Sequence, residues 1–198
     1  MVHRRVAHLR AFTRRHELYV RAAAVFRQHG YRGATLKALA NACGLSIPAL
    51  YRYFPSKKAF ALYPLIPLYP ELHAPRPDPT VGNPLSRLSS WIEGAVAEMP
   101  NYLLAARLSR EVGLDDDEQR RLDANLADHL AVLGDLARRA GPHLDDQGSR
   151  ELAQAMLNVV FGPALTGLDP EPRALRHELR ALLRGYGLFG PGIKPPLD

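Results

Sequence analysis

Acidic residues are nearly missing from the first third of this chain. Residues 1–60 hold 12 Lys and Arg against a single acid, Glu17, a balance of +11, while residues 61–198 hold 14 against 19, a balance of −5; together these give the net +6. A basic head on a mildly acidic body points to a nucleic-acid partner, with a solvated basic surface or a patch for an acidic membrane as the alternatives. Cysteine is scarce as well. Cys43 is the only one, which excludes an intrachain disulfide and suits a reducing cytoplasm. One cysteine cannot build a structural zinc site, and the eight histidines lie scattered without metal-ligand spacing. No apolar run reaches the roughly 18 residues of a membrane span. The opening "MVHRRVAHLRAFTRRHE" is charged throughout, where a secretory signal needs an apolar segment. There is no phosphate loop, dinucleotide fingerprint or G-x-S-x-G elbow, and His177-Glu178 is not followed by a second His at zinc-protease spacing. The expectation is therefore a protein that is not an enzyme, has no cofactor or metal, and has no membrane partner.

What the chain does have is helical periodicity, with no alternating runs that read as strands. Leu18, Ala22, Val25 and Phe26 share one face of a first helix, about Arg14 to Gln28, that Gly30 ends as a C-terminal cap. Thr35 caps a second helix over 36–43, stopped by Gly44. Ser46 caps a third, about Ile47 to Tyr53, with Pro48 in its first turn, where no N–H is needed. Ser56 starts a fourth. Prolines at 64, 67, 70, 75, 77, 79 and 84 then forbid a long helix. Residues 64–70 read as irregular chain packed on the body, and 74–84 as an exposed loop, with a proline-rich ligand as the alternative.

Residues 36–55 meet each requirement of a helix-turn-helix. A small residue, Ala40, sits where two helices touch. Gly44, four positions later, tolerates the positive φ of the turn, and Leu39, Cys43, Leu45, Leu50 and Tyr53 plug the angle between the helices. With the preceding helix and the following "FPSKKAF", the stretch "AAAVFRQHGYRGATLKALANACGLSIPALYRYFPSKKAF", residues 22–60, resembles the tetracycline-repressor (TetR) family of bacterial transcriptional regulators. The resemblance covers the first third of the chain; the body matches only in length and helix order.

The resemblance implies a homodimer whose recognition helices enter successive major grooves of double-stranded DNA. By position, Thr35 caps the second helix and meets a phosphate, and Lys37 reaches a base or phosphate. Ser46, Ile47, Pro48 and Ala49 form the exposed start of the recognition helix. Tyr51 and Tyr53 turn polar tips to phosphates, and Lys57 binds one. Ile47, Pro48 and Ala49 offer few hydrogen bonds where many members carry Gln, Thr or Ser. Base reading is then expected from contact with thymine methyls, with Lys37 and Arg52. Lys58 stands where an acid is common. Arg4, Arg5, Arg10, Arg14 and Arg15 are a DNA-tracking arm or a solvated tail.

The expected fold is all-α: a helix-turn-helix head over 1–60, including a basic arm over 1–13, on a helical body over 61–198. In the body, Leu85, Leu88, Ile92, Ala95, Val96 and Met99 share a face, a separate short helix follows Pro100, and the acids at 115–118 start a long helix that stops before Gly141. Further helices begin near Ser149 and Pro172. The resemblance implies a pocket for a small-molecule effector among the middle helices, with candidates Trp91, Met99, Tyr102, Arg107 and His129, each with plain core or surface as the alternative. It also implies a dimer interface from the last two helices, with candidates Leu152, Met156, Val159, Val160, Leu175, Leu179, Leu182 and Tyr186. The expected function is a ligand-responsive regulator, a repressor, in the cytoplasm. The alternative is a helical binding protein whose basic head docks on RNA or an acidic protein.

Overall fold

The computed structural model describes residues 2–66, 83–166 and 170–188. Over these residues the chain is all-α, with no strand. Eight helices are described: α1 Val2–Gly33, α2 Leu36–Cys43, α3 Ile47–Tyr51, α4 Lys57–Ala61, α5 Pro84–Val112, α6 Asp116–Ala140, α7 Asp146–Thr166 and α8 Pro172–Gly185. The prolines at 67, 70, 75, 77 and 79, and the expected loop as far as residue 82, lie outside the described residues. Pro84, expected to close that loop and to forbid a long helix, instead opens the long helix α5, because a first-turn proline loses no intrahelical hydrogen bond.

The chain forms two compact units. The first combines the N-terminal segment with residues 101–123; the second combines 77–100 with 124–198. The core of the first is built from Leu18, Tyr19, Ala22, Ala23 and Phe26 of α1, Leu39, Ala40 and Cys43 of α2, Leu50 of α3, and Phe54, Phe60 and Tyr63. Leu104 and Leu108 of α5 complete it. Phe54 stacks on Phe60 at 4.1 Å between ring centroids, and Phe26 meets Phe60 edge-on at 5.7 Å; such pairs add to the area that they bury. In the second unit Leu88, Ile92, Val96 and Met99 of α5, Leu133 and Leu136 of α6, Leu152, Met156 and Val160 of α7, and Leu175, Leu179 and Leu183 of α8 are buried.

Four elements depart from the sequence-based expectation. Helix α1 begins at Val2 rather than near Arg14, because no Gly or Pro interrupts residues 2–29. The side chains of Arg4, Arg5 and Arg10 lie outside the described residues. Helix α3 ends at Tyr51, two residues early; Pro55 biases Phe54 away from helical backbone, and the N–H groups of Tyr53 and Phe54 both close onto the Leu50 carbonyl. Pro100 does not separate two helices but lies inside the continuous α5. An interior proline costs about 3 kcal/mol, and burial of Met99, Asn101, Leu104 and Ala105 on either side offsets it. Helix α7 starts at Asp146, ahead of Ser149. Its cap is Asp145, whose Oδ1 accepts from the Gly148 N–H at 2.7 Å.

The start of α6 is a reciprocal capping box. Asp115 Oδ1 accepts from the Glu118 N–H at 2.9 Å, and Glu118 Oε2 accepts from the Asp115 N–H at 3.0 Å.

Candidate nucleic-acid interface

The local chemistry of "TLKALANACGLSIPALYRYF" sets the head's geometry. Thr35 Oγ1 accepts from the Ala38 N–H at 3.1 Å and starts α2. Gly44 ends it with φ +67° and ψ +33°, the left-handed conformation that glycine adopts at least cost. Its N–H bonds the Asn41 carbonyl at 3.0 Å, and the Leu45 N–H bonds that of Ala40 at 2.9 Å, so the chain reverses within two residues. Ser46 Oγ then accepts from the Ala49 N–H at 3.3 Å and starts α3.

Helix α3 buries one residue, Leu50, at 2% exposure. Cys43 lies under the turn, its Sγ–H donating to the Leu18 carbonyl at 3.3 Å, and burial pushes its thiol pKa up. Leu45 and Tyr53 pack against the same core half-buried. The remaining candidate residues of α2 and α3 face outward. Thr35, Lys37, Ser46, Pro48 and Arg52 are exposed, and Ala49 is half-buried. Ile47 and Tyr51 keep 36% and 42% exposure, two of the three large exposed hydrophobics among the described residues. Large apolar side chains in water mark interaction surfaces when they cluster, and these two lie one helical turn apart. Tyr53 differs from Tyr51: its ring packs inward and its carbonyl accepts from Arg15 Nε at 3.0 Å.

Helix α4 carries two adjacent lysines with opposite fates. Lys57 Nζ lies 4.5 Å from the centroid of the Tyr31 ring, and desolvation lowers its pKa. Lys58 Nζ pairs with Glu118 at 2.5 Å and Asp115 at 3.8 Å. The extra positive charge that "SKK" suggests is thus met by the start of α6. Arg14 likewise pairs with Glu17 at 3.0 Å. Sequence reasoning missed both the Tyr31 platform and the Glu118 partner. A capping-box pattern, D-x-x-E at 115–118, was legible; that it also holds a lysine 60 positions earlier was not.

The pocket candidates divide between the two units. Trp91, Met99 and His129 belong to the second, Tyr102 and Arg107 to the first. Met99 is buried at 3% exposure; Trp91, Tyr102 and His129 are half-buried. Arg107 is exposed and donates from Nη2 to the Phe26 carbonyl at 3.2 Å and the Arg27 carbonyl at 3.4 Å. These carbonyls lie in the last turn before Gly30, whose non-helical backbone kinks α1, and there a cation suits the helix dipole. Of the dimer candidates, Leu152, Met156, Val160, Leu175 and Leu179 are already buried within one protomer. Val159, Leu182 and Tyr186 retain partial exposure.

Residues 18–63 match the family model of bacterial regulatory proteins, tetR family. No curated protein matches the chain. Among solved structures, the chain resembles the TetR family transcriptional regulator PfmR from Thermus thermophilus at 21% identity and a TM-score of 0.55, over 84% of this chain and 97% of that one. It also aligns with a candidate TetR-family transcriptional regulator from Mesorhizobium loti at 14% identity and a TM-score of 0.46, over 89% of this chain and 96% of that one. The first likeness concerns the fold; the head match rests on the segment whose turn, caps and core are described above. Residues 18–63 are thus similar to the DNA-binding segment of the bacterial regulatory proteins of the tetR family.

Proposed function

We propose that this protein is a ligand-responsive transcriptional repressor of the cytoplasm, rather than an enzyme. It binds a palindromic operator as a homodimer and leaves it when a small-molecule effector binds the body. The observation that carries the reading is the outward edge of α3. Ser46, Ile47, Pro48, Tyr51 and Arg52 stay exposed while Leu50 alone anchors the helix, on a segment with a balance of +11. Such an edge suits the major groove, and Thr35, Lys37 and Lys57 suit phosphates beside it. Residues 1–60 serve as the DNA head and 61–198 as the sensing and dimerising body. Val159, Leu182 and Tyr186, partly exposed on and just after α7 and α8, are the side chains left for a partner to cover.

The test is a gel-shift titration of the full-length protein against DNA flanking its own coding sequence. Binding that requires two half-sites about 34 Å apart supports the reading. Affinity indifferent to sequence and to duplex form overturns it, and favours a head that docks on RNA or an acidic protein. Release of the bound duplex by small molecules of the host's metabolism tests the effector half of the proposal.

A further inference from the structure

The two lysines of α4 are held by partners of different kinds, and the difference bears on which of them can meet a phosphate. Carboxylates hold Lys58 and cancel its charge. An aromatic face holds Lys57, with Nζ 4.5 Å from the Tyr31 centroid. A ring attracts a cation through its quadrupole, so it fixes the ammonium without neutralising it. It also uses no single N–H, which leaves the donors of the ammonium to turn to an oxyanion.

The platform is itself fixed. Tyr31 packs half-buried against the head core, and its backbone N–H donates to Glu111 Oε2 at 2.8 Å. Gly30, just before it, has φ +64° and ψ −175°, a conformation open almost only to glycine. Lys57 is fixed at its base, because Ser56 Oγ accepts from the Ala59 N–H at 2.9 Å and caps the helix that Lys57 opens. The flexible lysine stem is therefore held at both ends.

We propose that Tyr31 is a positioning residue: its ring holds the Lys57 ammonium, charged and ordered, for contact with a DNA phosphate. This rests on the reading of the head as DNA-binding. Tyr31 acts through Lys57 and need not touch DNA. The neighbouring lysine, tied to α6, contributes little to the same contact.

The experiment uses the full-length protein and its Y31F, Y31L, K57Q and Y31L/K57Q variants. A mixed-sequence duplex is the probe, since a phosphate contact is indifferent to sequence, and affinity is read by fluorescence anisotropy across a salt series. K57Q should lower the salt slope by about 0.9 for each protomer bound. Y31L should weaken binding about threefold to tenfold, Y31F should bind like the parent, and Y31L should add nothing in the K57Q background. A second readout needs no DNA: the side-chain methylene resonances nearest the Lys57 ammonium should be ring-current shifted in the parent and in Y31F, and unshifted in Y31L. Equal losses from Y31L with and without Lys57, or an unshifted Lys57 in the parent, overturn the proposal and leave the DNA reading intact. Duplex binding by the parent that is absent or independent of salt overturns the DNA reading, and this proposal with it.

Discussion

Lys58 of α4 and Glu118 of α6 form an ion pair at 2.5 Å, across 60 residues of sequence. Their side chains are 27% and 16% exposed, and Asp115 lies 3.8 Å from the same ammonium. Glu118 has a second task, since its other contact closes the capping box on the Asp115 N–H. A charge that sequence alone assigns to a basic surface is thereby neutralised by the start of α6, within the same compact unit.

Replacing Lys58 by Gln should therefore leave the salt slope of DNA binding within experimental error of the parent, and cost about 1 kcal/mol of stability or less. A slope lowered by about 0.9 for each protomer bound, as expected for Lys57→Gln, would show that Lys58 faces phosphate after all. Anisotropy across a salt series, with urea unfolding of the same samples, makes the comparison.

Gly30 and Gly44 both need positive φ, yet their substitution costs should differ. A Cβ on Gly44 meets nothing within 4 Å, so Gly44→Ala should cost only the left-handed conformation, about 1–2 kcal/mol. A Cβ on Gly30 would lie 3.2 Å from Glu111 Oε2, the acceptor of the Tyr31 N–H. Gly30→Ala should add the disturbance of that bond, about 1 kcal/mol or more beyond Gly44→Ala. Denaturant midpoints of the two variants decide the order.

Cys43 is buried at 1% exposure, with its thiol pKa raised by desolvation and its S–H given to the Leu18 carbonyl. The thiolate is the reactive form, so a disulfide reagent should label the native protein far more slowly than the unfolded chain. The labelling rate should rise with denaturant in step with the loss of helical signal. Fast labelling in buffer would show that the turn opens on its own.

Asp115 is held below the usual carboxylate range, first by the Glu118 N–H and then by Lys58. A depressed folded-state pKa gives stability that is present above the unfolded value of 3.8 and is lost as pH falls through the folded one. Asp115→Asn should therefore flatten the pH dependence of stability below about 4 and change it little near neutrality. The carboxyl carbon of Asp115, followed by NMR, should titrate below 3.8 in the parent.

The helix-turn-helix was legible because its determinants are local. Ala40, Gly44, Thr35 and Ser46 act within five residues of their partners, so spacing alone placed α2 at 36–43. The arginine proposed for the effector pocket shows the opposite. Arg107 binds the α1 carbonyls just before the Gly30 kink, 80 and 81 positions away, and nothing in the residues around it announces that partner. Pro100 misled because a breaker acts locally, whereas the helix that it interrupts is held from both sides by buried residues.

The sequence by itself determined the helical class, the caps, the turn between α2 and α3 and the crowding of positive charge into the first 60 residues. These follow from backbone preferences and counts that need no distant partner. Only the tertiary structure decided which charges remain available. It set Lys57 on an aromatic ring and Lys58 on two carboxylates, and it turned Arg107 to the carbonyls before the kink in α1. A lysine's neighbours in space come from whichever elements the core brings together, and a charge is kept or cancelled by those neighbours rather than by its place in the chain.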